Sequence, residues 1–316
     1  MTVNFPLSAS CTKILGHRRF IWMSSQSYFE SPTEATTNYP IPLSPPLPAL
    51  SKDIEPNRAL TASSKSALFS IQRSHVIFED EWIIAVNKPP GIYCESVLSS
   101  LPPLLNDNGD KVSELHLAGR LDRDTSGVML ITKLHKVAAK FVKAFTDHKV
   151  QKTYLAFCVG IAPKWEKITV KSGHGRSKYG AWRVYAASDA GRKLPGGSLV
   201  KDMETSFEVL SVNGLGCLKD VSDLQKDEAV VIVQEKSAVG CDLKKDEILV
   251  RASPRSGRTH QIRLHCRVYE WKGSRYDGHD LHAESLSFEH PITGKLIVLQ
   301  APPPSWAIQH LRSQIE

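Results

Sequence analysis

The pattern of hydrophobic and polar positions changes at about residue 70. Before it, apolar residues are scattered among Ser, Thr and Pro and show neither the period of a strand nor that of a helix. After it, short apolar runs alternate with turn residues. The pattern predicts a disordered, Pro- and Ser-rich N-terminal arm over residues 1–70 and a folded domain over residues 71–316.

Short, β-branched apolar runs predict a sheet in the folded domain. Val76–Gly91 reads as two strands joined by an acidic turn. The second strand must stop at Lys88, because the two prolines that follow lack the N–H that a strand ladder uses. Further strands are predicted at Val128–Lys133, Val150–Gly160, Ala229–Gln234 and Ile248–Ala252, with a final hairpin beginning at Leu281.

Two segments have helical character. Lys136–His148 places Val137, Phe141 and Phe145 on one face at helical spacing, which predicts an amphipathic core helix. Thr259 is a candidate N-cap for a second helix starting at His260, whose positive N-terminal end would face a cleft. Strands mixed with a few helices predict an α+β domain.

Composition narrows the class of protein. The 316 residues include 41% hydrophobic residues, enough for a sizeable core, and the net charge of +7 with a pI near 9.0 is in the direction expected for a polyanion-binding protein. No apolar run is long enough to span a bilayer. The cysteines have no paired spacing, which favours a reducing compartment and argues against disulfides or a zinc site; they are Cys11, Cys94, Cys158, Cys217, Cys241 and Cys266.

The N-terminal arm carries a possible targeting signal. Met1–Phe29 contains no acidic residue and is rich in Ser and Thr, which is typical of a chloroplast or mitochondrial transit peptide. An ordinary tail on a cytoplasmic or nuclear protein remains the alternative. Pro40–Pro48 is dense in proline and predicts a linker, which Ser51–Lys65 continues.

The most distinctive candidate chemistry lies in the polar loop before the strand at residue 128. Asp122 stands between Arg120 and Arg123, and neighbouring positive charge favours the ionised carboxylate. An anionic aspartate in a cleft can serve as a nucleophile or a general base. A surface loop of salt bridges is the structural alternative for these residues taken alone.

A second basic region, Lys164–Lys201, interleaves Lys and Arg with Tyr179, Trp182 and Tyr185. Cations among aromatic rings suit phosphate contact and base stacking. A solvated loop with a few buried aromatics fits the same pattern, so both interpretations stay open.

The loop Gly119–Gly127 resembles the signature loop of the RluA-like pseudouridine synthases, in which the aspartate is the catalytic residue. Three further segments match motifs of that family in the same order, namely Val76–Gly91, Val150–Gly160 and Pro254–His265. The resemblance extends from about His75 to Trp306. It implies the pseudouridine synthase fold, a long, mixed and mainly antiparallel sheet with a central cleft and flanking helices.

The resemblance also assigns residues to roles. It implies Asp122 as the catalytic residue, Arg263 as its ion-pair partner and Tyr154 as the residue that stacks on uracil and moves a proton. Residues expected to contact RNA or the base are Arg120, Ile262, Arg258, His260 and Lys88, with Lys88 serving mainly to position the backbone. No metal or other cofactor is implied, and we expect a monomer that binds RNA and no membrane.

Two departures from the family pattern stand out. The family usually has His before the arginine of the signature loop, where this chain has Gly119. After Cys266 the chain also lacks a short Gly/Pro/Asp-containing segment.

The resulting hypothesis is isomerisation of specific uridines in tRNA or rRNA to pseudouridine. A catalytically impaired RNA-binding protein of the same fold is the alternative, and an aspartate-dependent hydrolase acting on small nucleosides is a third possibility.

Overall fold

A long mixed sheet runs through the part of the chain that the structure, a computed structural model, describes. This part comprises residues 38–44, 54–105, 114–216, 229–233, 245–269, 271 and 280–311. The strands along the sheet follow the order β1-β2-β4-β12-β5-β11-β8-β6-β10. Four short strands pair outside this path, β3 with β4, β7 with β6, β9 with β8 and β13 with β12. The bounds of all the strands in this sheet are β1 Val76–Glu79, β2 Ile83–Lys88, β3 His116–Leu117, β4 Ser126–Thr132, β5 Gln151–Gly160, β6 Lys167–Arg176, β7 Trp182–Tyr185, β8 Lys201–Val212, β9 Leu215–Gly216, β10 Ala229–Ile232, β11 Asp246–Pro254, β12 Asp280–Glu289 and β13 Leu296–Gln300.

Helices cover the sheet at a few places, and none in the described ranges is long and apolar enough to cross a membrane. The predicted helix near residue 140 is confirmed as α4. The predicted strands are confirmed as β1, β2, β4, β5, β10 and β11, and the final hairpin as β12 and β13. The helices are α1 Ile54–Ala67, α2 Cys94–Ser100, α3 Pro102–Leu105, α4 His135–Thr146, α5 Gln261–Val268 and α6 Ser305–Leu311.

Strand β4 is buried along its whole length because both faces of the sheet are covered there. Val128 and Leu130 pack with Phe141 of α4 on one face, while Met129 and Ile131 pack with α2 on the other. A strand buried on both faces needs a continuous apolar run. This explains why its sequence lacks the alternation of an exposed strand.

Strand β5 lies at the centre of the sheet, between β11 and β12, and is antiparallel to both. Tyr154 is paired with Ala252 on one side and Ala283 on the other. Side chains of paired residues share a face of the sheet. The two small neighbours therefore leave space around the Tyr154 ring.

The predicted arm differs from the structure at two places. Ile54–Ala67 is a helix, because Pro56 fits a first helical turn and Ala62 and Ser66 bury one face. Part of the predicted proline linker is docked along β7, where the Leu43 N–H donates to the Val184 carbonyl at 2.8 Å. The predicted targeting segment and residues 45–53 lie outside the described residues.

Lys88 ends β2 with a fully buried ammonium group. Its Nζ donates to the carbonyls of Pro89 at 3.0 Å, Arg123 at 2.8 Å and Thr125 at 2.8 Å. Lys88 is 0% exposed, which leaves no surface for the predicted RNA contact, and its three bonds to carbonyls agree with the predicted part in positioning the backbone. The three bonds tie the loop that carries Asp122 to the end of β2.

Gly127 gives a test of the close packing between β4 and β12. Its φ is +103°, and a Cβ there would lie 2.7 Å from the Ala283 nitrogen, 2.8 Å from its carbonyl carbon and closer still to its oxygen. Gly127→Ala combines backbone strain with overpacking, so we expect the free energy of unfolding to fall by about 3 kcal/mol or more. Gly180→Ala is the control, because its φ of +81° brings the same kind of strain but no atom within 4 Å. Equal losses for both variants in urea unfolding would contradict the packing argument.

Lys88 also makes stability depend on pH. Burial lowers the pKa of Lys88 from 10.5 to about 8. Between pH 8 and 10.5 the unfolded chain therefore binds more protons at this group than the folded chain does, and folded stability gains as pH rises. The unfolding free energy of the wild type relative to Lys88→Met should rise across this window by up to roughly 3 kcal/mol. Denaturant titrations at several pH values measure it, and a flat difference would contradict the buried ammonium.

Candidate active site

A cavity of about 400 Å³ opens where the Asp122 loop, β5 and the start of α5 meet. Its volume lies within the range of small-ligand pockets. The structure brings seven of the eight predicted site residues to its lining, all except Lys88; they are Arg120, Asp122, Tyr154, Arg258, His260, Ile262 and Arg263.

Asp122 is held by two groups at the start of α5. Its Oδ2 lies 2.8 Å from the His260 Nδ1 and 3.5 Å from the Arg263 guanidinium. The carboxylate side chain is 28% exposed, so it faces the cavity and not bulk water. The predicted proximity of Arg263 to Asp122 is therefore present in the structure.

His260, which the resemblance predicts to contact RNA or the base, lines the cavity and directs its ring at the Asp122 carboxylate. The residue is in the left-handed region, with φ of 58°, and stands at the N-cap of α5. The Thr259 N-cap prediction is wrong, and no side chain caps this helix. A non-glycine residue in this region is strained and persists only where its surroundings hold it.

The arginines beside Asp122 in sequence have other partners in the structure. Arg123 makes a two-pronged ion pair with Asp124, both bonds at 2.9 Å. Arg120 is 75% exposed and lies 3.3 Å from Glu95. The arginine that lies beside the Asp122 carboxylate is thus Arg263, which comes from a distant part of the chain.

Tyr154 and Ile262 form apolar walls of the cavity. Burial, with a smaller contribution from the negative charge of Asp122, raises the pKa of the Tyr154 hydroxyl to about 12. The hydroxyl is therefore protonated at neutral pH. Ile262 is 5% exposed and sits on the α5 face that packs against the core.

Sequence reasoning missed Gln261, which fixes the start of α5. Its amide nitrogen donates to the Glu204 carbonyl at 2.7 Å and the Thr205 hydroxyl at 2.9 Å. Its amide oxygen accepts from the Ser256 hydroxyl at 2.7 Å and the Arg258 N–H at 3.0 Å. The side-chain amide of Gln261 thus donates two hydrogen bonds to β8 and accepts two from the preceding loop. These bonds tie the start of α5 to both. The sequence signal that could have identified Gln261 is a glutamine at a buried position of the predicted helix.

His265 continues this buried polar network. Its Nδ1 lies 2.8 Å from the Thr205 hydroxyl and its Nε2 lies 2.9 Å from the Ser172 hydroxyl. Burial lowers the pKa of His265 to about 3, so the ring is neutral. It anchors α5 to β6 and β8.

Lys152 was also missed, although it lines the cavity. It precedes Tyr154 by two positions on β5, so both side chains are on the same face of the strand. The sequence signal that could have identified Lys152 is its place two positions before Tyr154 in the predicted strand Val150–Gly160. Arg258, which was predicted, lies on the same wall and donates to the Asp202 carbonyl at 2.9 Å.

No residue of the basic and aromatic segment Lys164–Lys201 lines this cavity. Trp182 stacks on His174 with ring centroids 4.7 Å apart, and Arg176 lies 5.0 Å from the Trp182 ring centroid. The His174 ring is 3.0 Å from the Thr259 carbonyl, which connects this hairpin to the start of α5. Tyr179 is 84% exposed.

The two departures from the family pattern leave the described site intact. A Cβ at Gly119 would make an ordinary van der Waals contact with the Phe145 ring of α4 at 3.5 Å. Beyond Cys266, helix α5 continues to Val268 and Trp271 is buried, with its Nε1 donating to the Ile161 carbonyl at 3.0 Å. Within the described residues there is no cluster of three or more His, Cys, Asp or Glu that could hold a metal ion.

Comparisons with known proteins agree with this geometry. Residues 82–267 match the family model described as RNA pseudouridylate synthase. The chain is 54% identical to RNA pseudouridine synthase 1 of Arabidopsis thaliana, over 88% of this chain and 90% of the relative. It is 57% identical to RNA pseudouridine synthase 1 of Oryza sativa subsp. japonica, over 86% of this chain and 84% of the relative.

Two more distant proteins are also similar to this chain, one in sequence and one in structure. Ribosomal large subunit pseudouridine synthase C of Pasteurella multocida is 27% identical over 76% of this chain and 68% of that protein. The solved structure of human RNA Pseudouridylate Synthase Domain Containing 4 has a TM-score of 0.51 at 18% identity, covering 82% of this chain and 97% of the other. The family match and the two plant relatives lead to one conclusion: the chain belongs to the RNA pseudouridylate synthase family.

Proposed function

We propose that this enzyme isomerises uridine to pseudouridine in RNA with Asp122 as the residue that acts at the ribose. The observation that carries the assignment is the Asp122 carboxylate held at 2.8 Å by His260 and 3.5 Å by Arg263 on the wall of a nucleotide-sized cavity. Positive charge beside a carboxylate favours its ionised form.

The reaction breaks the bond between C1′ and N1, turns the uracil and joins C1′ to C5. C5 then loses its proton to solvent, and N1 gains a proton, so that the product is an isomer of uridine. Asp122 serves as nucleophile or as charge stabiliser and base at the ribose. The target base must leave its stack to reach the cavity. Tyr154 is proposed to stack on the uracil and to assist removal of the C5 proton, and Ile262 to line the base pocket.

Arg120 is proposed to occupy the place of the flipped base in the RNA. It stands at the cavity mouth, and its contact with Glu95 is an exposed ion pair. Exposed ion pairs hold side chains weakly, so Arg120 is free to exchange Glu95 for RNA.

For the substrate we propose ribosomal or transfer RNA. The bacterial relatives carry the large ribosomal subunit in their name, and mapping the pseudouridines lost on depletion of this protein would identify its own target. That the protein works as a monomer stays a prediction. An organellar location, with cytoplasm or nucleus as the alternative, stays a prediction from the N-terminal composition.

The assignment of Asp122 is tested by release of tritium from RNA labelled at uridine C5, prepared from cells depleted of the protein. Asp122→Asn removes the charge and should lower release on the order of 10³-fold or more. Asp124→Asn is the matched control on the same loop, and it should retain most of the activity because Asp124 pairs with Arg123. RNA binding without release by the wild type would instead favour the catalytically impaired RNA-binding protein.

His260 is tested by variants that keep its backbone conformation. His260→Gly tolerates positive φ but removes the donor, whereas His260→Asn tolerates it and keeps an N–H near the Nδ1 position. A hydrogen bond to a charged group contributes about 1.5–3 kcal/mol, so His260→Gly should lower kcat at least tenfold with little change in KM. His260→Asn should recover most of this loss. If His260→Gly raised KM and left kcat unchanged, direct contact with RNA would be the better explanation.

A further inference from the structure

The Lys152 side chain carries a desolvated ammonium group that pairs with no carboxylate of the described residues. Among the described residues, its contacts are the Ser256 carbonyl, which accepts from Nζ at 3.0 Å, and the Phe145 ring, whose centroid lies 5.9 Å away. A charge withdrawn from water is costly unless it is paired. An unpaired cation on a cavity wall therefore indicates an anion that arrives with the ligand.

A second cation lines the same cavity: Arg258 stands on the wall with Lys152, and Ser256 and Gly257 connect them. The Arg258 guanidinium also lies 3.3 Å from the exposed Asp202 carboxylate, an ion pair that holds it weakly. Burial and the positive charge of Arg258 lower the pKa of Lys152 to about 8. Two cations that repel each other in the empty cavity would both gain from an anion between them.

The position of Lys152 distinguishes a backbone anion from the base. Lys152 and Tyr154 are two residues apart on β5, a separation of about 6–7 Å. Lys152 therefore lies beside the place proposed for the uracil and not over it.

We propose that Lys152, together with Arg258, binds a phosphodiester of the RNA strand next to the target uridine. This inference rests on the proposed function, since it concerns the RNA that enters the same cavity. It assigns to Lys152 a binding role that the motif comparison did not give it.

The test compares two probes, uridine and uridine 3′,5′-bisphosphate, whose binding is measured by calorimetric or NMR titration at pH 7 and constant ionic strength. We expect the wild type to bind the bisphosphate at least about tenfold more tightly than uridine. In Lys152→Met this preference should fall about tenfold, while Lys152→Arg should restore it. Lys149→Met is the matched control, because Lys149 is exposed and does not line the cavity.

Each alternative result overturns the proposal. These results are no bisphosphate preference in the wild type, an unchanged preference in Lys152→Met, and an equal weakening of both probes in that variant, which would place Lys152 at the base. Thermal unfolding checks the fold, and Lys152→Met should not lower the melting temperature because it removes an unpaired buried charge. Neither titration requires turnover. A loss of the bisphosphate preference with tritium release retained would contradict the role of Lys152 alone, whereas a loss of release with the preference retained would contradict the proposed function alone.

A pH series provides a second readout. With the pKa of Lys152 at about 8, the bisphosphate preference of the wild type should decline between pH 7 and 9.5. Lys152→Arg should keep its preference over this range, since guanidinium stays protonated. A parallel decline in both proteins would assign the pH dependence to another group and contradict the role of Lys152.

Discussion

The site depends on holding one carboxylate against an imidazole and a guanidinium from a helix start that, at His260, lies 138 residues away in sequence. Asp122 sits on a loop after a buried strand, whereas His260 and Arg263 belong to the start of α5. An ion pair at partial exposure is weak if both side chains must be ordered to form it. Such an ion pair contributes to catalysis only where the two backbone segments are already fixed. Folding has then already met the entropic cost of ordering the side chains.

Two buried polar clamps provide that fixing, one on each side of the cavity. On the loop side, the Lys88 ammonium binds three carbonyls, two of them within the Asp122 loop. On the helix side, the Gln261 amide uses its donors and acceptors on β8 and on the loop before α5. Both groups are nearly inaccessible to water, so a lost bond could not be replaced by solvent. The strained backbone of His260 is tolerable because Gln261, its neighbour, is held so firmly.

Sequence patterns anticipated the strands and α4 because their signals are local. The apolar run of β4 and the helical spacing of Val137 and Phe141 are visible without knowledge of partners. Helix α1 was missed because its burial depends on α2, where the Tyr93 N–H donates to the Ser66 hydroxyl. The motif resemblance correctly located the cavity residues. It could not show that Lys88 is buried or that the His260 ring faces Asp122, since both facts come from pairings between distant segments.

The same reasoning explains why the altered segment after Cys266 leaves the start of α5 in place. The contacts that fix this helix all come from elsewhere: Gln261 binds β8, and His265 binds Thr205 and Ser172. Farther along, Trp271 is tied to the Ile161 carbonyl that follows β5. None of these bonds involves a residue after Trp271. Among the described residues, the orientation of His260 and Arg263 toward Asp122 is thus supported by bonds from α5 to the central sheet.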